Sequence, residues 1–222
     1  MKKRQLSVSM MCADLMNLSH DVHKLEEFGV DYLHIDMMDA HFVPNLTFGP
    51  DTVNAMRKIT NVAFDIHLLM ESPHVIIRSL DIREGDIVTI HSESGESIME
   101  NVAFVKQKKA MFGLALNPDT SIEEVKKYLP YTDVILLMLI VPGFAGSTII
   151  HGMMEKVAET KKYLTEHGYD NIKIEVDGSV SCERAKYMSS LGADIFVGGT
   201  AGIFRQNKTI EEAVHEFYEA IK

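Results

Sequence analysis

Cysteine is scarce in this chain: Cys12 and Cys182 are the only two in 222 residues. Their separation fits neither a metal clip nor a disulfide framework, so free thiols in a reducing compartment are the default. Long apolar runs are missing as well. The greasiest stretch, VILLMLIV at 134–141, falls far short of the roughly 20 residues that cross a bilayer. The opening MKKR has the charge of a secretory leader, but QLSVSMMCADLM behind it lacks a sustained apolar core and a small-residue cleavage pattern. These absences predict a cytoplasmic protein without a membrane partner. Basic charge is also in deficit, with 22 Lys and Arg against 32 Asp and Glu and a formal net charge of −10. That balance disfavours a nucleic-acid footprint. It leaves room for a small anionic ligand, provided that backbone donors hold it. No Pro/Gly/Ser-rich linker and no low-complexity segment divides the chain, so residues 1–222 read as a single domain.

What is there is alternation. Hydrophobic residues make up 46% and charged ones 24%, an ordinary globular balance. Eight β-rich runs recur: QLSVSMMC, DYLHIDMM, NVAFDIHLL, DIVTIHSE, MFGLALNP, DVILLMLI, NIKIEVDG and DIFVGGT. Amphipathic stretches lie between them, among them LSHDVHKLEEFG, PDTVNAMRKI, SIEEVKKYL, GMMEKVAETKKYLTEHG, CERAKYMSSLG and TIEEAVHEFYEAIK. Strands nearly continuous in Val, Ile, Leu and Met indicate a parallel sheet covered on both faces. Eight strands alternating with eight helices predict an α/β fold of the (β/α)₈ TIM-barrel type. A doubly wound sheet is the runner-up, but no GxGxxG follows the first strand. GADIF at 192–196 echoes GVDYL at 29–33, a faint internal repeat.

In such a barrel, chemistry sits at the C-terminal ends of the strands. Side chains two apart in a strand leave the same face, so His34 and Asp36 point together. Asp65 and His67 end the third strand, and Glu175 and Asp177 the seventh. By parity His34, Asp36, His67 and Asp177 face the mouth, and two imidazoles with two carboxylates suit one divalent cation such as zinc, manganese, iron or cobalt. Any one of these residues is more often a satisfied structural group, and His91, closing the fourth strand, is a candidate for that reading. Convergence of four on three strands is what favours a metal. Three glycine turns follow strands six to eight: PGFAG (142–146), DGS (177–179) and GGTAG (198–202). One would be an ordinary tight turn, whereas three at one mouth favour phosphate binding through backbone N–H groups. Met10, Met38, Met70 and Met138 lie near strand ends, where most methionines fill core and a minority line an apolar lid.

HIDMMDAHFVPNLTFGP, DIHLLM, LALNPDTSIEEVKKYL, PGFAG and IEVDGSVS resemble, in order and over nearly the whole chain, the ribulose-phosphate 3-epimerase family. GFAG, VDGS and GTAGIF are more similar to its D-allulose 6-phosphate 3-epimerase branch. The resemblance implies an isomerase, a homo-oligomer, that inverts C3 of D-allulose 6-phosphate to give D-fructose 6-phosphate through an enediolate. The alternative is D-ribulose 5-phosphate to D-xylulose 5-phosphate. It implies metal ligation by His34, Asp36, His67 and Asp177, with Asp36 and Asp177 as catalytic acid and base. Substrate contacts would fall on Ser9, His67, Gly143, Phe144, Ala145, Gly146, Asp177, Gly178, Ser179, Gly199, Thr200 and Ala201. Ala40 stands for a usual Gly, Leu69 for Met, Leu139 for Thr, Val141 for Asp or Asn and Ser147 for Gln. Two rival classes share the scaffold: barrels that make or break a carbon–carbon bond, as hexulose-phosphate synthases do, and non-catalytic sugar-phosphate binders.

Overall fold

In the computed structural model, which describes residues 4–94 and 98–222, eight parallel strands close into a barrel in chain order. They are β1 (Gln5–Ser9), β2 (Tyr32–Met38), β3 (Ala63–Leu69), β4 (Ile87–His91), β5 (Met111–Leu116), β6 (Val134–Met138), β7 (Lys173–Asp177) and β8 (Ile195–Gly198). Around them run α1 (Leu18–Glu27), α2 (Pro50–Met56), α3 (Pro73–Ile77), α4 (Ile98–Gln107), α5 (Met153–Glu166), α6 (Cys182–Leu191) and α7 (Ile210–Ile221). Among the described residues no helix is long and apolar enough to cross a membrane.

The local signals explain the boundaries. Proline opens α2 and α3 at Pro50 and Pro73, where its missing N–H would have no partner in any case. A reciprocal box between Thr209 and Glu212 starts α7, and Ser181 accepts from the Arg184 N–H to start α6. Gly192, at φ +107°, ends α6 in the left-handed region, which suits a residue without Cβ. Two expectations need correction. SIEEVKKYL forms a 3₁₀ helix, Ile122–Tyr131, rather than an α-helix. Pro130 lies inside it and cannot donate an i→i−4 bond, so the connection from β5 to β6 takes the tighter form. QLSVSMMC stops being strand at Ser9, and Met10–Cys12 turn as a short 3₁₀ segment.

Inward-facing residues fill the barrel in layers. At the N-terminal end Tyr32, Ile87, Val134 and Ile195 form one apolar cluster, all from even strands. Each follows an aspartate, and each aspartate accepts the N–H of the second residue of the preceding odd strand. The pairs are Asp31 with Leu6 at 3.0 Å, Asp86 with Phe64 at 2.8 Å, Asp133 with Phe112 at 2.7 Å and Asp194 with Ile174 at 3.0 Å. The faint GVDYL and GADIF repeat is therefore half of a four-fold clasp, completed by EGDIV and YTDVI. Asp86 also pairs with the buried Arg57 guanidinium at 2.6 Å, whose Cζ sits 3.4 Å from the Phe64 ring centroid. Above this floor the interior divides. Near β5 and β6 it is apolar, with Ala115, Leu136, Met138 and Ile140 in one cluster. Near β1, β2, β3 and β7 it is polar, and the site lies there.

Candidate functional site

Strand parity brings His34, Asp36, His67 and Asp177 together: one ligand atom from each lies within 4.8 Å of all the others. Asp36 is the centre. Its Oδ1 is 3.2 Å from His34 Nε2 and 3.2 Å from His67 Nδ1, and its Oδ2 accepts from Ser9 Oγ at 3.1 Å. Asp177 Oδ2 lies 4.0 Å from His34 Nε2. Both histidines are fully buried.

Burial opposes ionisation of Asp36, but His34 and His67 outweigh it and hold the carboxyl far below its usual range. Asp177 goes the other way. Burial is the main cause, reinforced by the charges of Asp36 and Asp65, and raises it from 3.8 to about 7. Burial lowers His67 to about 4. For His34 burial acts in the same direction, but Asp65 and Asp36 overcome it and raise the imidazole well above 6.5.

Two imidazole nitrogens and two carboxylate oxygens converging at the floor of a cleft are donors that suit a borderline divalent ion. Without a cation, the Asp36 oxygen shared by two rings forces protons onto nitrogens that would otherwise present lone pairs. The residues therefore fit a metal of this class, whose identity they do not select.

Beneath the cluster lies a second polar layer that the sequence reading did not interpret. His34 Nδ1 meets Asp65 Oδ2 at 2.6 Å, and that same oxygen accepts from Ser7 Oγ at 2.7 Å. Glu175 stands beside Asp65, and both are completely buried. Burial and the Asp65 charge push Glu175 well above the carboxylate range, so it keeps its proton. The signal was available, since Asp65 and Glu175 share the parity of His67 and Asp177 one layer down. His91 also points inward, with its Nε2 at 2.9 Å from His67 Nε2.

Above the ligands opens a cleft toward the barrel mouth. All three glycine turns line it. Of the residues expected around a substrate, Ser9, Gly143 to Gly146, Asp177 to Ser179 and Gly199 to Ala201 border this space, and among the described residues no Lys or Arg does. His67 lies outside the lining, sealed under Asp36. At Gly178, φ is +115° and a Cβ would come 2.7 Å from Ile140 Cγ1, so glycine is required. Asn45 Nδ2 donates to the Gly143 carbonyl at 2.7 Å, tying the loop after β2 to the loop after β6.

The apolar wall contains Met11, Met38, Leu69 and Met138. Met38 and Met138 match the lid reading, whereas Met10 and Met70 belong to the hydrophobic core. The 3₁₀ turn after Ser9 is the reason: it rotates Met11 and Cys12, rather than Met10, toward the cleft. Among the family departures, Leu69 lines the cleft, Leu139 is buried and Val141 is exposed. Ala40 has φ +61°, which explains the usual glycine there. Ser147 donates to the Phe144 carbonyl at 3.1 Å.

Comparison with known proteins agrees with this geometry. The family model described as "Ribulose-phosphate 3 epimerase family" matches residues 5–204. A ribulose-phosphate 3-epimerase of Bacillus subtilis is 34% identical over 210 residues, covering 94% of this chain and 97% of the relative. One from Chlamydia pneumoniae is 39% identical over 200 residues, covering 88% and 87%. Among solved structures, a 3-hexulose-6-phosphate synthase superposes with TM-score 0.61 at 15% identity, over 98% of this chain and 100% of that one. Thiamine phosphate pyrophosphorylase from Pyrococcus furiosus does so with TM-score 0.66 at 13% identity, covering 99% and 96%. At those identities the structural neighbours share the barrel alone. The sequence relatives share far more, and with them this chain belongs to the ribulose-phosphate 3-epimerase family.

Proposed function

We propose that this protein is a metal-dependent ketose-phosphate 3-epimerase, its chain serving as one catalytic domain, and that its substrate is D-ribulose 5-phosphate, converted to D-xylulose 5-phosphate. The observation that carries the reading is the pair Asp36 and Asp177. They enter one cleft from β2 and β7, which β8 and β1 separate, and they differ in protonation. Inverting a carbon beside a ketone requires removing a proton on one face and returning one on the other, so two groups must flank it. Asp36, held ionised by its two histidines, can accept a proton, while Asp177 can keep one to deliver. Run in reverse, the roles exchange.

His34, Asp36, His67 and Asp177 would hold the cation. When bound, a divalent ion supplies Lewis acidity that eases negative charge on the substrate oxygens, by on the order of several kcal/mol. The methionine wall and Leu69 keep water from the reacting carbon, which protects an enediolate from stray protonation. Backbone groups of the three glycine turns would grip the phosphate and set the register of the sugar. That grip needs no lysine or arginine, in keeping with the acidic chain.

The relatives' names favour the five-carbon substrate. A six-carbon reading, D-allulose 6-phosphate, has one observation behind it: Ala145 and Ser179 line the cleft where pentulose enzymes usually carry glycine. Measuring kcat/KM on both sugar phosphates, on samples of known metal content, tests the assignment. A higher value on D-ribulose 5-phosphate, with deuterium entering C3 in heavy water, is expected. Absence of label in metal-replete protein would leave only a sugar-phosphate binder, and release of formaldehyde from a hexulose phosphate would indicate carbon–carbon chemistry instead.

A further inference from the structure

His67 uses Nδ1 toward the ligand cluster, and its other nitrogen leads away from it. Nε2 lies 2.9 Å from His91 Nε2. The two rings are inclined by 23° with centroids 5.0 Å apart, distances at which they meet edge to edge in a hydrogen bond rather than face to face. On the far side His91 Nδ1 is 3.3 Å from Glu93 Oε2. Phe42 packs on His91 at 4.8 Å between centroids, which holds the ring in this plane. The other Glu93 oxygen accepts from the Asn117 N–H at 3.0 Å and from the Thr120 hydroxyl.

This chain of hydrogen bonds has a direction. An ionised carboxylate only accepts, so His91 must donate from Nδ1. A neutral imidazole with its proton on Nδ1 has a lone pair on Nε2, so His67 must donate from Nε2. Its Nδ1 is then bare, and a cation shared with His34, Asp36 and Asp177 would take up the lone pair that otherwise opposes Asp36 Oδ1 at 3.2 Å. The opposite polarity would leave the His91 Nδ1 lone pair against the Glu93 carboxylate. We propose that Glu93, acting through His91, is a positioning residue that sets the tautomer of His67 and so presents Nδ1 to a metal ion. Glu93 is suited to the end of such a chain. Burial alone would raise it, but His91, Thr120 and Asn117 together hold it down at about 2, so it stays a carboxylate. The residue also links the ligand set to the loop 117–120, which Lys156 Nζ braces through the carbonyls of Asn117 and Pro118 at 3.0 Å each.

The inference rests on the metal reading above, and its test separates the two. In isotope-labelled protein at about pH 8, nitrogen–proton correlation spectra of the imidazoles report which nitrogen carries the proton, with zinc or without it. His91 is expected to carry its proton on Nδ1, and zinc-loaded His67 on Nε2. Competition with a chelator is expected to show zinc held about 10- to 100-fold more weakly by Glu93→Ala. Glu93→Gln, which keeps an acceptor oxygen, falls between it and the wild type. A wild-type His91 protonated on Nε2, or zinc affinity unchanged in Glu93→Ala, overturns the proposal. Should Glu93→Ala fail to fold, the wild-type spectrum and Glu93→Gln decide. A wild-type protein that takes up no zinc, manganese, iron or cobalt would sink the metal reading, whereas the His91 tautomer is read either way.

Discussion

Replacing Asp177 by Asn should strengthen the metal-free protein while stopping its chemistry. Asp177 is largely buried beside Asp36 and Asp65, and its folded pKa rises from 3.8 to about 7. The folded state therefore binds this proton more tightly than the unfolded chain does. The stability contributed is full below pH 3.8 and is lost as pH rises through about 7. At about 1.36 kcal/mol per pKa unit, the interval sets a ceiling on the order of 4 kcal/mol, present as a penalty at alkaline pH. Asparagine cannot ionise and escapes that penalty. In chelator at about pH 8, denaturant melts should rank Asp177→Asn above wild type by up to that amount, and the gap should close as pH falls toward 4. With metal and substrate present, the same variant should lose about 10²- to 10⁴-fold in turnover, the usual contribution of a positioned acid or base. A variant that is no more stable than wild type at alkaline pH, or one that keeps full turnover, refutes the account of Asp177.

Two further outcomes concern regions away from the reacting carbon. Asp86→Ala leaves the Arg57 guanidinium buried without its 2.6 Å partner and the Phe64 N–H without its acceptor. Urea melts should show a loss of about 3 to 5 kcal/mol, with kcat unchanged because the pair lies at the opposite end of the barrel; a loss below about 1 kcal/mol would contradict the burial argument. Ala40→Gly relieves a left-handed residue at φ +61° and should raise stability by up to about 1 kcal/mol after the extra chain entropy of glycine is offset, whereas a fall on the same melt would show that the Ala40 methyl has packing worth more than the strain.

The barrel was legible because alternation of strand and helix leaves a period that composition cannot hide. The ligand cluster was legible because parity in β2, β3 and β7 needs no tertiary information to put His34 and Asp36 on one face. What parity does not supply is depth. Asp65 and Glu175 obey the same rule as His67 and Asp177, yet only the stagger of the strands decides which layer reaches the cleft and which lies below it. His91 looked like an isolated strand-end histidine for a related reason: its partner His67 comes from the neighbouring strand, and Glu93, two residues on, returns to it only through the turn that follows β4. Met11 was missed in favour of Met10 because a single 3₁₀ turn after Ser9 changes the facing of everything beyond it. SIEEVKKYL has the apolar spacing of an α-helix, and Pro130, just outside that stretch, tightened it. The choice between five and six carbons was hardest to read, since Ala145 and Ser179 differ from the usual glycines by only one and two heavy atoms.

The four aspartate clasps at the strand starts have an implication for how this scaffold tolerates change. They fasten neighbouring strands at the floor, so the loops at the rim can be lengthened, shortened or exchanged without disturbing the closure of the cylinder beneath them. A lineage built this way can retune the sugar it accepts by editing the roof alone, while the foundation that aligns Asp36 with Asp177 is inherited intact.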